Sequence, residues 1–258
     1  MAHDAYSALD RPEILSFVFY PRAEFSRPPP NAADYFVPVD TGVSISCRLY
    51  RHSKTSPTIL YFHGNGEVVS DYDGIAPFYN EQGINLLVAD FRGYGASGGS
   101  PTFSSMASDA PVILNAATEI LYDSGYASTL FVMGRSLGSI PAIEIAHYYE
   151  EKLDGLIIES GLASMANLVQ HVGLFAADLG LADPGFPNLS KIGDITIPTL
   201  IMHGQYDSII PSTEATALYE RSAAADKRLL IIPGVGHNDI MFLGAEPYFK
   251  AIRSFVLP

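Results

Sequence analysis

The chain has 258 residues, of which 48% are hydrophobic and 17% are charged, and its formal net charge is −13 at pH 7. This length and composition are typical of a packed globular protein and exclude a disordered one. The acidity argues against binding to nucleic acid or to an anionic membrane surface, because both require patches of lysine and arginine. We therefore expect a single domain over residues 1–258 that acts on small molecules.

In chain order, the first predicted element is an antiparallel pair of strands at the edge of a sheet. Two strand-like runs, at residues 35–40 and 43–50, are separated only by Thr41 and Gly42. Short, nearly continuous apolar runs follow, which is the pattern of strands buried on both faces. These predicted strands are residues 58–62, 85–90, 130–133, 155–159, 199–202 and 228–232. Helical spacing predicts helices at residues 71–82, 104–122, 137–150, 212–224 and 245–256. The alternation predicts an α/β fold with a doubly wound, mostly parallel sheet.

One interval, at about residues 161–197, breaks this alternation and is rich in Leu, Phe, Gly and Pro. We interpret it as a small helical cap inserted into the single domain. Its apolar side chains either line an acyl pocket or pack the insert onto the core, and the sequence leaves both alternatives open. These side chains are Leu168, Val169, Val172, Leu174, Phe175, Leu179, Leu181 and Phe186.

Cys47 is the only cysteine, so the chain alone can form neither an intrachain disulfide nor a thiolate metal cluster. The N-terminal residues lack the basic start of a secretory signal. No run of about 18 uncharged apolar residues predicts a membrane span. These features predict a soluble protein in a reducing, cytoplasmic setting.

The pattern Gly-x-Ser-x-Gly occurs twice, around Ser97 and around Ser136. A nucleophilic serine of this kind needs a strand before it, a sharp turn, and a helix behind it. Ser136 follows an apolar strand and precedes a predicted helix, whereas Ser97 lies in a Gly-rich loop followed by Pro101. Context therefore predicts Ser136 as the nucleophile and a structural role for Ser97.

A serine hydroxyl becomes nucleophilic when a histidine removes its proton and a carboxylate holds that imidazole in one tautomer. In the order that accompanies a strand–serine–helix turn, the acid and then the histidine follow the serine. Asp207 follows the run at 199–202, and His237 follows the last strand in a Gly-rich loop. We predict the set Ser136, Asp207 and His237, with Glu159 as the alternative acid.

The developing oxyanion needs backbone N–H donors. One is expected from Leu137, directly after the nucleophile. The other is expected from the loop after the first parallel strand, where Asn65 is our first choice and Gly66 the second. His63 and His203 are interpreted as side chains that hold their loops by hydrogen bonds, with no part in proton transfer.

Taken together, these motifs resemble the α/β-hydrolase superfamily over residues 37–255, in order and in spacing. They are HGNG at 63–66, DFRGYGAS at 90–97, GRSLG at 134–138, HG at 203–204 with Asp207, and GHND at 236–239. The chain looks most like the small serine esterases, thioesterases and acylglycerol or lysophospholipid lipases. Serine at 136 departs from the aspartate of haloalkane dehalogenases and epoxide hydrolases, and from the cysteine of dienelactone hydrolases. From the run at 90–95 we also expect a buried ion-pair turn that braces the site.

The predicted activity is two-step acyl transfer on a small ester or thioester, which requires neither a metal nor an organic cofactor. Ser136 attacks the carbonyl, His237 takes and returns the proton, and water hydrolyses the acyl-enzyme. The main alternative is a noncatalytic ligand-binding member of the same fold. A scaffold role ranks last, because the sequence offers no exposed apolar stripe or charge tract.

Overall fold

The computed structural model describes residues 4–164 and 186–257, and within them one eight-stranded sheet organises the chain. The strands are β1 Ala32–Asp40, β2 Val43–Tyr50, β3 Thr58–Phe62, β4 Asn85–Ala89, β5 Leu130–Arg135, β6 Gly155–Glu159, β7 Thr199–Gly204 and β8 Lys227–Ile232. Strand β2 pairs antiparallel with β1 and β4, and all other pairs are parallel. The predicted mostly parallel sheet with an antiparallel N-terminal edge is confirmed.

The order of the strands, β1-β2-β4-β3-β5-β6-β7-β8, places β3 between β4 and β5. The chain therefore winds outward in both directions from β3. In such sheets ligands bind beyond the carboxyl ends of the strands, at the point where the winding reverses. Phe62 at the end of β3 is in register with Gly134 near the end of β5, so the loops that follow these two strands are neighbours.

Eight α-helices are described, six of which follow strands and cover the two faces of the sheet. They are α1 Asp4–Ser7, α2 Pro12–Val18, α3 Ala76–Glu81, α4 Phe103–Asp123, α5 Ser139–Tyr148, α6 Asn188–Ile192, α7 Thr213–Arg221 and α8 Ala245–Val256. The helix predicted at 71–82 is divided into a 3₁₀ turn, Val69–Asp73, and α3. Gly74 separates the two, and Pro77 stands in the first turn of α3, where a missing N–H costs nothing.

The core consists of two apolar layers, one on each face of the sheet. Leu60 and Phe62 of β3 contribute to the layer that includes α4 and α5, while Ile59 and Tyr61 contribute to the layer that includes α3 and α8. This division follows from the strand period of two residues. Both faces of β3 are buried, which explains its continuous apolar sequence.

The N-terminal segment before β1, for which the sequence analysis predicted no element, forms α1 and α2 and then runs along the sheet. Asp10 Oδ1 accepts a hydrogen bond from the backbone N–H of Phe103 at 2.8 Å, at the start of α4. Further along, the Gly95 N–H donates to the carbonyl of Arg22 at 2.9 Å, and the Glu24 N–H donates to Gly95 O at 3.2 Å. The segment is thus joined to the loop after β4.

The insert predicted at 161–197 is described at its two ends. Glu214 Oε2 accepts hydrogen bonds from the N–H groups of Ala163 and Ser164 at 2.7 and 2.8 Å, and Asn188 Nδ2 donates to Leu162 O at 2.8 Å. Phe186 is buried and packs edge-on against Tyr6 with ring centroids 6.3 Å apart, so it belongs to the core. The other candidate pocket side chains, Leu168, Val169, Val172, Leu174, Phe175, Leu179 and Leu181, lie outside the described residues.

The turn at 90–95 carries two charges that bind different partners. Asp90 is fully buried, and its Oδ1 lies 3.2 Å from His63 Nε2. Arg92 instead forms a two-pronged ion pair with Asp109 of α4, at 2.7 and 2.8 Å. The turn is therefore fastened to the loop after β3 by a hydrogen bond and to α4 by an ion pair. No helix among the described residues combines the length and hydrophobicity needed to cross a membrane.

Candidate active site

Ser136 lies directly after β5, at the start of a 3₁₀ turn that leads into α5. Its φ of +51° is in the left-handed region, which residues other than glycine rarely occupy. A Cβ on Gly134 would lie 2.2 Å from Gly138 O, and a Cβ on Gly138 would lie 2.2 Å from Phe62 O. The strand and the helix can therefore approach each other this closely at Ser136 only because both flanking positions are glycine.

Ser97, the serine of the second Gly-x-Ser-x-Gly pattern, has a different environment. Its Oγ accepts a hydrogen bond from the backbone N–H of Ser46 at 2.8 Å. The next residue, Gly98, donates its N–H to Ser44 O at 3.0 Å. These bonds attach the loop to β2, and Ser97 has no helix directly behind it. Ser97 holds a loop in place.

Asp207 and His237 lie side by side beyond the ends of β7 and β8. His237 Nδ1 is 2.7 Å from Asp207 Oδ2, and both side chains are buried. Asp207 Oδ1 accepts hydrogen bonds from the N–H groups of Ile209 and Ile210 at 3.0 and 2.8 Å. Burial opposes the charge of this carboxylate, but the hydrogen bonds from His203 and His237 outweigh it, and the pKa of Asp207 lies well below its usual range.

His203 contacts the same oxygen of the Asp207 carboxylate as His237 does. Its Nε2 lies 2.8 Å from Ile210 O and 3.2 Å from Asp207 Oδ2. An Nε2–H donates to both oxygens and so joins the turn after β7 to the end of that strand. His63 has a similar role in the loop after β3. Its Nδ1 lies 2.7 Å from Gly64 O, and its Nε2 forms a hydrogen bond with Asp90 Oδ1. Both histidines stand where hydrogen bonds fix a loop.

Glu159, the alternative acid, is engaged elsewhere. Its Oε1 accepts from Arg135 Nη1 at 2.9 Å, and its Oε2 accepts from the hydroxyls of Tyr248 and Tyr61 at 2.7 and 3.2 Å. The carboxylate paired with the His237 ring is that of Asp207. The geometry thus favours Asp207 over Glu159 as the partner of His237.

The two predicted oxyanion donors, Asn65 and Leu137, lie beside Ser136 on the wall of one cavity. The side chain of Asn65 is occupied in a clamp, because its Oδ1 accepts from the Tyr94 hydroxyl at 2.7 Å and from Tyr20 N–H at 3.1 Å, and its Nδ2 donates to Val18 O. The clamp leaves the backbone N–H of Asn65 available to a ligand. The N–H of Gly66 faces the Tyr94 hydroxyl, which favours Asn65 over Gly66.

The cavity has a volume of about 320 Å³. Its lining combines apolar and polar groups. The apolar residues are Val18, Tyr20, Leu137 and Ile209, the polar ones are Ser136, His237, Asn238, Glu67, Arg135 and Asn65, and Gly64 completes the set. Val18 and Tyr20 come from the N-terminal segment, which the sequence analysis left without a role. A mixture of apolar wall and a few convergent polar groups is typical of small-molecule sites.

Arg135 and Glu67 are the polar residues at this site that the sequence analysis missed. Arg135 is 3% exposed, and its Nε donates to Glu67 Oε1 at 2.7 Å. Burial opposes ionisation of Glu67, but the charge and hydrogen bonds of Arg135 outweigh it and lower the pKa of Glu67 to about 2. A usable signal did exist, since an arginine at the end of a buried strand must find carboxylates nearby. Among the described residues, no cluster of three or more His, Cys, Asp or Glu side chains is arranged to hold a metal ion.

Comparison with known proteins gives the relationships of the chain. A family model described as serine aminopeptidase, S33, matches residues 53–189 and 188–241. Human alpha/beta hydrolase domain-containing protein 17B is 30% identical over 223 residues, covering 83% of this chain and 72% of that protein. Both matches include the stretches that carry the two glycine-flanked serines.

Solved structures agree on the fold. An esterase of Pyrococcus furiosus superimposes with a TM-score of 0.74 at 20% identity, covering 92% of this chain and 98% of the other. Est1E from Butyrivibrio proteoclasticus, solved with ferulic acid bound, superimposes with a TM-score of 0.71 at 18% identity, covering 87% and 100%. At these identities the likeness concerns the fold alone. With the family match over residues 53–241, it leads to one conclusion: the chain belongs to the serine aminopeptidase S33 family of the α/β-hydrolase superfamily.

Proposed function

We propose that the protein is a serine hydrolase that cleaves carboxylic esters or thioesters of small acyl substrates through an acyl-enzyme. The observation that carries the proposal is the strained Ser136, with φ +51°, which lines the same cavity as a histidine whose Nδ1 lies 2.7 Å from a buried aspartate. Strain of this kind persists where the surrounding structure enforces it, and it is characteristic of functional sites.

The pairing of His237 with Asp207 sets the direction of proton transfer. A neutral imidazole that donates its Nδ1–H to Asp207 keeps Nε2 as an acceptor. In the first step Nε2 takes the Ser136 proton while Oγ bonds to the substrate carbonyl carbon, and the carbonyl electron pair moves onto oxygen. The N–H groups of Asn65 and Leu137 stabilise that oxyanion. Its collapse breaks the bond to the alcohol or thiol, which leaves with the proton from His237.

In the second step water replaces the leaving group. His237 removes a proton from water as the water oxygen bonds to the acyl carbon, and the second tetrahedral intermediate expels Ser136 Oγ, which regains a proton. The products are a carboxylic acid and the regenerated serine. Each proton removed is returned within one cycle, so the scheme requires only water and substrate.

The cavity walls support an acyl substrate of modest size. Its volume of about 320 Å³ is near the lower end of the range for ligand pockets. Val18, Tyr20 and Ile209 provide apolar contact for an acyl chain. The Est1E structure contains ferulic acid. For this chain we propose a small acyl ester or thioester as the substrate. A cytoplasmic setting stays a prediction, based on the lone Cys47 and on N-terminal residues without the basic start of a secretory signal.

A fluorophosphonate probe tests the proposal, because it reacts covalently with an activated serine. Wild-type protein should label, and Ser136→Ala should abolish labelling, while Ser97→Ala serves as the matched control and should label at the wild-type rate. Hydrolysis rates on oxygen esters and thioesters of increasing acyl length then rank the substrates, with Ser136→Ala as the blank. Labelling that survives Ser136→Ala, or wild-type protein that does not label, would contradict the proposal and favour a ligand-binding protein.

A further inference from the structure

The guanidinium of Arg135 contacts both of the loops that the proposed chemistry requires. Besides Glu67, it reaches the loop after β8, where Nη1 donates to the backbone carbonyl of His237 at 3.0 Å and Nη2 donates to Asn238 Oδ1 at 3.2 Å. Its Nε points to the loop after β3. One buried side chain, adjacent to Ser136 in sequence, thus contacts two loops. They are the loop after β3 that carries Asn65, here called the oxyanion loop, and the loop after β8 that carries His237, here called the histidine loop.

Glu67 passes this contact on to the backbone beside the proposed oxyanion donor. While Oε1 accepts from Arg135, Oε2 accepts from the N–H of Gly64 and from the Tyr72 hydroxyl, each at 2.8 Å. Gly64 immediately precedes Asn65. A Cβ at position 64 would lie 3.2 Å from the Glu67 carboxylate, so glycine permits this close approach. The carboxylate therefore fixes the peptide between His63 and Gly64, one peptide before the Asn65 amide.

Glu159 holds the opposite side of the guanidinium. It accepts from Arg135 Nη1 at 2.9 Å and from the Tyr248 hydroxyl at 2.7 Å, and Tyr248 shares a hydrogen bond of 2.9 Å with Tyr79. Glu159 and both tyrosines are fully buried. The arginine is thus held between two carboxylates, each satisfied by further donors, which gives it a single position.

We propose that Arg135 is a positioning residue, which acts with Glu67 to hold the Asn65 amide and the His237 loop in register with Ser136. The inference rests on the proposed function, because it concerns the geometry of that reaction. A displacement of about 1 Å at a reacting centre lowers the rate by about 100-fold. Arg135 reaches the two loops through Glu67 and the His237 carbonyl, so its effect falls on kcat.

The decisive variant is Glu67→Gln, which keeps the shape of the side chain. Glu67 accepts at both oxygens, so a glutamine must turn an N–H₂ group toward either Arg135 or Gly64, both of which are donors. Glu144→Gln is the matched control, because Glu144 also belongs to a buried ion pair, with Lys191, and does not line the cavity. Asn238→Ala removes one acceptor from Arg135 and gives a second, milder variant.

We expect Glu67→Gln to lower kcat about 100-fold with KM changed less than about 3-fold, and Asn238→Ala to lower kcat by a smaller factor. Glu144→Gln should lower Tm and leave kcat of the folded protein unchanged. Affinity for a trifluoromethyl ketone, whose bound hemiketal places an oxyanion at the amide donors, should fall in Glu67→Gln by the same factor as kcat/KM. A purely structural role would not reproduce this correspondence.

The proposal is overturned if Glu67→Gln retains wild-type kcat and ketone affinity, or if its loss of kcat equals that of Glu144→Gln. These outcomes are distinct from a failure of the proposed function. In that case wild-type protein fails to label with fluorophosphonate, or labels in Ser136→Ala. If Glu67→Gln does not fold, Asn238→Ala decides by the same two measurements, and wild-type values in that variant overturn the proposal.

Discussion

The turn at Ser136 has no room for a side chain at Gly138, and Gly138→Ala tests this directly. The added Cβ would lie 2.2 Å from the carbonyl oxygen of Phe62 and 2.7 Å from that of His63. Carbon and oxygen rarely approach closer than about 3.3 Å, so the backbone must move by about 1 Å. These carbonyls belong to the end of β3 and the start of the loop that carries Asn65. Rotation of a side chain cannot relieve this clash, because the backbone fixes both the Cβ position and the carbonyl oxygens.

The expected result has two parts. Overpacking of this kind lowers the free energy of unfolding by about 1–3 kcal/mol, and displacement of the oxyanion loop lowers the rate of fluorophosphonate labelling about 100-fold. Urea denaturation and labelling kinetics measure the two effects separately. Gly98→Ala is the control, because its Cβ would meet nothing closer than Val43 Cα at 3.7 Å. Wild-type labelling and stability in Gly138→Ala would refute the reasoning.

Three further predictions concern charged groups. Asp207→Asn should lower kcat about 10⁴-fold, because its amide keeps the Ile210 contact but forces the wrong His237 tautomer; a loss below tenfold would contradict this. Lys191→Met should lower the free energy of unfolding in urea by about 3–5 kcal/mol at unchanged kcat, because Glu144 stays buried without its partner; equal stability would refute it. The pKa of Glu67 is lowered to about 2, so its ionised form stabilises the fold above pH ~4.5, and this contribution is lost as the pH falls toward 2. The difference in unfolding free energy between wild type and Glu67→Gln should therefore shrink over that interval, and a constant difference would contradict the assignment.

The sheet was predictable because its inner strands β3 to β7 are buried on both faces and are separated by helical segments. The structure places strands at all eight predicted runs, with boundaries that differ by at most three residues. The helix predicted at 71–82 was wrong in its continuity, because apolar spacing extends across Gly74 while the backbone does not. Pro77 was the local signal that a new helix begins there.

The candidate site was predictable where each residue follows a strand, and less so where it depends on contacts between distant segments. Ser136, Asp207 and His237 all follow strand ends, so topology alone brings them to one edge. Arg135 occupies an unspecified position of the Gly-x-Ser-x-Gly pattern, and its partner Glu67 lies 68 residues upstream. Val18 belongs to a segment whose short helices have little periodicity to detect. Pairings of this kind follow from tertiary packing, which a local pattern does not encode.

The clamp between Asn65 and the N-terminal segment has a consequence for the order in which the molecule assembles. During synthesis, Val18 and Tyr20 leave the ribosome before Asn65, Tyr94 and Gly95, to which they and their neighbours bind. The hydrogen bonds of the Tyr6 hydroxyl form later still, because its partners Asn188 and Lys191 lie more than 180 residues further along the chain. Contacts of such separation form late, because the loop that they close is long. Val18 and Tyr20 therefore take their places in the cavity wall only after residues at least 45 positions further along the chain have been synthesised.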